Sequence, residues 1–103
     1  MLKSALVVSA LAAVSAGANL MRGCSDANLQ GYCYIFTGAY NICYSAGSLS
    51  DTLSSVSVRI GLNCVLYIHT GCEGQSVTVT KNVNFLENFN DVTSSFRCQP
   101  NDI

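Results

Sequence analysis

Beyond residue 18 the apolar positions recur every second residue rather than every third or fourth. Tyr32, Tyr34 and Phe36 alternate with Cys33, Ile35 and Thr37; Val56, Val58 and Ile60 alternate with Ser57, Arg59 and Gly61; Val77 and Val79 alternate with Ser76, Thr78 and Thr80. Gly, Asn and Ser separate these runs. A half-buried strand sends successive side chains to opposite faces, so the pattern predicts short strands and an all-β, two-sheet sandwich. The chain opens differently: Met1-Leu2-Lys3, an apolar run from Ala5 to Val14, then Ala16-Gly17-Ala18. A charged start, an apolar stretch and a small-residue site predict a secretory signal peptide over Met1–Ala18, a single domain over residues 19–103 and an extracellular location. The apolar run is shorter than the ~20 residues needed to cross a bilayer, so no membrane span is expected.

The domain aligns with itself. Cys24 with Tyr67, Leu29 with Cys72 and Gly31 with Gly74 share an offset of 43, whereas Asp51 with Asp91, Ser54 with Ser94 and Ser55 with Ser95 share an offset of 40. The first copy, about residues 19–62, therefore holds three more residues than the second, about 63–103, in the stretch from Ala39 to Leu49. A unit of about 40 residues cannot bury its own apolar face, so the two copies must pack together. Leu49-Ser50-Asp51-Thr52-Leu53-Ser54-Ser55 and Phe89-Asn90-Asp91-Val92-Thr93-Ser94-Ser95 lead into their strands in the same way. Each sets a carboxylate three residues ahead of a hydroxyl at the mouth of a strand, a compact group of hard oxygen donors of the kind Ca²⁺ takes. The same residue types also close ordinary Asx and Ser/Thr turns. Recurrence at equivalent places in a repeat favours the ligand reading, first for Asp91 and Ser94 and then for Asp51 and Ser54.

Composition sharpens this picture. The six cysteines, Cys24, Cys33, Cys43, Cys64, Cys72 and Cys98, all follow the leader, and a domain of about 85 residues has a small core that benefits from staples. An even count in a short secreted chain predicts three disulfides, with 15 possible pairings. Zinc is disfavoured, because no C-x-x-C occurs and His69 is the one histidine. Without the leader, Arg22, Arg59, Lys81 and Arg97 face Asp26, Asp51, Glu73, Glu87, Asp91 and Asp102. Four scattered cations in a mildly acidic chain exclude a nucleic-acid footprint and charge-driven membrane attraction. Catalysis has little support: His69 lies in no G-x-S-x-G context, and Glu73 with Glu87 read as loop glutamates rather than a glycosidase pair. The tyrosines Tyr32, Tyr34, Tyr40, Tyr44 and Tyr67 are candidates for a carbohydrate-stacking face, although alternation puts most of them in the core or over hairpins.

Leu66-Tyr67-Ile68-His69-Thr70-Gly71-Cys72-Glu73-Gly74 resembles the βγ-crystallin Greek-key signature, and Asn90-Asp91-Val92-Thr93-Ser94-Ser95 is similar to that family's calcium motif, [ND]-[ND]-x-x-[ST]-S, at every position. The first copy departs from it: Cys24 and Leu29 stand where the signature has aromatics, and Ser50 replaces the first Asn/Asp. Cys72 replaces an aromatic in the second copy. The resemblance, to small secreted microbial or fungal single-domain members, implies two Greek keys, with Gly31 and Gly74 at positive φ where a hairpin folds over its sheet. It implies Ca²⁺ ligands from Asp51, Ser54, Asp91 and Ser94, carbonyls of Thr52, Val92, Ser25 and Ile68, and support from Asn90. In such a key strands a and d are neighbours, which pairs Cys64 with Cys98; Cys24 and Cys33 flank the first hairpin tip, leaving Cys43 with Cys72. The implied protein is a secreted, monomeric, calcium-binding module without catalysis. The alternative on the same fold is a killer-toxin-like, antimicrobial or host-directed effector with an extracellular protein or glycan target.

Overall fold

The computed structural model describes residues 18–101; residues 1–17 of the expected leader lie outside the described residues, and Ala18 opens the first strand. Among the described residues there are seven strands, β1 (Ala18–Asp26), β2 (Gln30–Gly38), β3 (Cys43–Ser45), β4 (Ser55–Val58), β5 (Leu62–His69), β6 (Glu73–Val79) and β7 (Ser95–Pro100), and β2, β4 and β6 carry the three alternating runs. Short 3-10 turns at Ala27–Leu29, Gly47–Leu49 and Glu87–Phe89 separate them. All strand pairs are antiparallel, in one sheet ordered β2-β1-β4 and another ordered β3-β7-β5-β6. The period-two pattern shows why. In β5, Leu62, Cys64 and Leu66 are buried while Asn63, Val65 and Tyr67 are partly exposed; in β4 and β7, Val56, Val58, Phe96 and Cys98 turn inward. These side chains close on Leu20, Phe36, Leu49 and Leu53 in one core between the sheets. Among the described residues no helix is long and apolar enough to cross a membrane.

The two halves are interlocked rather than stacked. By sequence β3 belongs to the first half, yet it pairs with β7 of the second, Tyr44 opposite Phe96. Reciprocally, Val83 of the second half joins β4 of the first, with Val83 N donating to Val56 O at 2.8 Å and Val56 N to Val83 O at 3.1 Å. Both ends of the domain come to the turn between the halves: Arg59 N donates to Leu20 O at 3.1 Å, and Asn101 N to Gly61 O at 2.7 Å. Ala46 and Leu86, which precede equivalent 3-10 turns, already share the offset of 40. The three additional residues therefore fall between Phe36 and Ala46, around the exposed turn at 39–42.

Three disulfides close the structure. Cys24–Cys33 and Cys64–Cys98 join residues directly opposite each other in the β1–β2 and β5–β7 ladders, each with a Cα separation of 4.0 Å. Cys43–Cys72 ties β3 to the turn between β5 and β6, and so joins the two halves covalently.

Two expectations from alternation need correction. Ile60 does not continue β4: that strand ends at Val58, and Ile60 stands 97% exposed in the turn to β5. Nor does alternation bury most of the tyrosines, since Tyr32, Tyr34 and Tyr40 are exposed. Period two fixes the side of the sheet a residue faces, not whether the opposite sheet reaches it, and β2 is an edge strand in which Phe36 is the one fully buried residue.

Candidate metal centre

The site begins at the two hairpin tips. Between Cys24↔Cys33 and Asp26↔Gln30 the register slips, so Gly31 and Tyr32 both oppose the single Ser25; Gly74 and Gln75 likewise oppose Ile68. Gly31 and Gly74 take φ of +79° and +85°, as expected of the residue that reaches this region without steric cost. A bulge of this kind takes a residue out of ladder pairing. Ser25 and Ile68, proposed as carbonyl donors, are the single residues of β1 and β5 that lie opposite these bulges.

Each Asp-x-x-Ser-Ser bend is then fixed to both halves. Ser54 N donates to Cys24 O at 2.9 Å and Ser94 N to Tyr67 O at 2.8 Å, which holds each serine beside its own hairpin. The aspartates reach across instead: Asp51 N donates to Thr93 O at 2.8 Å and Asp91 N to Leu53 O at 2.9 Å. Both aspartates sit in the left-handed region, φ +62° and +63°, which Asp tolerates better than most residues. Their side chains meet the opposite serine, Ser54 Oγ donating to Asp91 Oδ1 at 3.2 Å and Ser94 Oγ to Asp51 Oδ1 at 3.3 Å. These contacts are long for a hydroxyl-to-carboxylate bond, whose usual O···O separation is about 2.7 Å. The serines are buried and the carboxylates exposed.

The second serine of each motif has a role that the sequence reading left unassigned. Ser55 Oγ donates to Asp26 O at 2.6 Å and accepts from Leu29 N at 2.9 Å; Ser95 Oγ donates to His69 O at 2.6 Å and accepts from Cys72 N at 2.9 Å. Each buried hydroxyl thereby pins the hairpin of its own half, and the repetition of the Ser-Ser pair was the available signal. Thr52 and Val92 follow the aspartates on exposed turns, and Asn90 carries a buried Oδ1 with no hydrogen-bond partner among the described residues. Among the described residues no three His, Cys, Asp or Glu side chains cluster. Each cross-half pair thus offers one carboxylate and one neutral hydroxyl, a donor set suited to a hard cation held weakly. His69, Glu73 and Glu87 are exposed and take no part in either pair.

No protein-family model matches the sequence, and no curated protein sequence matches it. Solved structures do. The N-terminal domain of protein S is 25% identical, superposes with a TM-score of 0.70, and covers 84% of this chain and 100% of its own. A βγ-crystallin domain from Flavobacterium johnsoniae is also 25% identical, with a TM-score of 0.66 over 82% of this chain and 99% of its own. A third structure, from work on the evolution of the eye lens βγ-crystallin domain fold, is 22% identical with a TM-score of 0.69, covering 80% of this chain and 86% of its own.

Proposed function

From the premise that this chain belongs to the βγ-crystallin superfamily, we propose that it is a secreted, extracellular structural module that binds Ca²⁺ at its two cross-half bends and is stabilised by it, with no catalytic role. The observation that carries this reading is the reciprocal pairing of Asp51 with Ser94 and of Asp91 with Ser54. The donors fit a calcium ion in kind. One carboxylate oxygen and one hydroxyl already lie 3.2–3.3 Å apart in each pair, a spacing that two ligands of one cation bound at about 2.4 Å can share. The Ser25 and Ile68 carbonyls, opposite the bulges, and those of Thr52 and Val92 complete the proposed sets, with Asn90 supporting the second bend. A bound Ca²⁺ supplies charge neutralisation and a bridge between halves.

Because every set draws on both halves, a cation there opposes their separation. With a single carboxylate per pair, affinity belongs in the range of about 10⁻⁵ to 10⁻³ M, matched to extracellular calcium. Calcium at 100 times the dissociation constant adds about 2.7 kcal/mol of stability per occupied site. Thermal unfolding of the oxidised domain should therefore shift upward in millimolar CaCl₂ relative to EDTA, and Asp91→Ala should remove about half of the shift. A wild-type unfolding curve that is the same in CaCl₂ and EDTA would refute the proposal.

A further inference from the structure

The exposed apolar side chains are unevenly distributed. Of the large hydrophobic residues that are exposed, Tyr32, Tyr34, Ile35, Tyr40 and Ile42 fall within eleven consecutive positions. Tyr32 and Tyr34, 54% and 49% exposed, line up with Phe36 along β2, which contains no charged residue. Behind them the rings form a continuous series: Tyr34 meets Phe36 edge-on at 5.0 Å, Phe36 meets Phe96 edge-on at 4.9 Å, and Phe96 lies 5.8 Å from Tyr44. Between β2 and the segment leading into the Gly47–Leu49 turn this series opens into a cleft of about 320 Å³. That volume is at the lower end of the range of about 300–1,000 Å³ typical of small-molecule sites.

The internal repeat supplies a control for what the fold itself requires. Tyr34, Phe36 and Phe96 correspond to Val77, Val79 and Val56 in the other half, and Tyr32 and Ile35 to Gln75 and Thr78. Phe36 and Phe96 belong to the core, but Tyr32 and Tyr34 stand exposed where the other half has Gln75 and Val77, so sandwich packing does not require these two rings. The rim is chemically distinctive as well. Thr37, Ser45 and Ser48 border the cleft, and no lining residue is charged. Tyr44 Oη accepts from Ala39 N at 2.8 Å and Ser45 Oγ from Gly47 N at 2.9 Å, which leaves both hydroxyl hydrogens free to donate. Ser48 Oγ donates to Tyr32 Oη at 3.5 Å, linking the turn to the edge strand.

We propose that this cleft is a glycan-binding site that takes one unit of a neutral sugar chain, its apolar ring face against Tyr34 and its hydroxyls on the Thr37, Ser45 and Ser48 rim. An aromatic wall accepts the C–H face of a pyranose. Hydroxyls, each both donor and acceptor, suit a ligand made of hydroxyls. A charged ligand would find no counter-charge in the lining, and an apolar peptide would leave the rim hydroxyls without partners. The acidic bends contribute no residue to the cleft.

The test is a titration of the oxidised protein with linear neutral hexasaccharides of glucose, of mannose and of N-acetylglucosamine, followed by tyrosine fluorescence and by aromatic-ring NMR. At least one should shift the Tyr34, Tyr44 and Phe96 ring signals saturably below about 10 mM. Tyr34→Ala should weaken binding about tenfold and Tyr34→Phe less than about threefold, while Ile60→Ala leaves it unchanged. Ser48→Glu, a substitution at an exposed position, should block the site with the fold intact. The proposal is overturned if none of the three sugars moves those signals, or if Tyr34→Ala and Ser48→Glu bind as the wild type does. It is also overturned if sedimentation shows a dimer that Tyr34→Ala dissociates, since a second copy would then be the occupant.

Discussion

At Gly74 the backbone sits at φ +85°, and a methyl group placed on its Cα would come within 2.6 Å of His69 Cδ2 and 3.0 Å of Ile68 Cγ1. Gly61, at φ +92°, has nothing within 4 Å of the same added atom. Gly74→Ala should therefore cost about 2 kcal/mol or more in urea unfolding, and Gly61→Ala only the backbone penalty of about 1 kcal/mol. Thr93 is a converse case. Its hydroxyl is wholly buried without a hydrogen-bond partner among the described residues, at the position where the first half has Leu53. Thr93→Val removes that unsatisfied oxygen at nearly constant volume and should stabilise the domain by about 1 kcal/mol in the same measurement. Asp91→Asn keeps a residue that tolerates the left-handed region while removing the charge. It should unfold within about 0.5 kcal/mol of the wild type in EDTA yet lose its share of any calcium-dependent increment. The positive φ of Gly31 and Gly74 was legible because only one residue type takes that conformation cheaply. The exposure of Tyr32 and Tyr34 was not, because it depends on where the facing sheet ends.

β2, β4 and β6 followed from their alternation, whereas β5, flanked by β6 and β7, is paired along nearly its whole length. The partnership of β3 was not legible: three residues, Cys43–Ser45, carry too little pattern to choose a sheet. Tertiary context decides, by setting Tyr44 against Phe96 and bonding Ala46 N to Ser94 O at 2.9 Å. Here the disulfides differ in consequence. Cys24–Cys33, separated by 9 residues, staples one hairpin, while Cys43–Cys72, separated by 29, spans the two halves. In the chain-entropy account the double replacement Cys24→Ser with Cys33→Ser should cost about 2.5 kcal/mol, and Cys43→Ser with Cys72→Ser about 3.5 kcal/mol. Chemical denaturation of the two variants gives the order.

For the molecule as a whole, the repeat visible in the sequence announced two halves but not that each completes the other's sheet. The oxygen pairs obey the same rule, since neither Asp51 nor Asp91 meets the serine of its own motif. It follows that a peptide of residues 19–62 or 63–103 alone should show no cooperative thermal transition by circular dichroism, even when oxidised. The turn at Arg59–Gly61, to which Leu20 and Asn101 are both bonded, has a different consequence. The first and last strands and the seam between the halves meet at this turn, so the order of the halves along the chain is a matter of wiring. A circular permutant reopened at Ile60, its former ends joined by a bridge of about five residues, should keep every ladder and fold to the same shape.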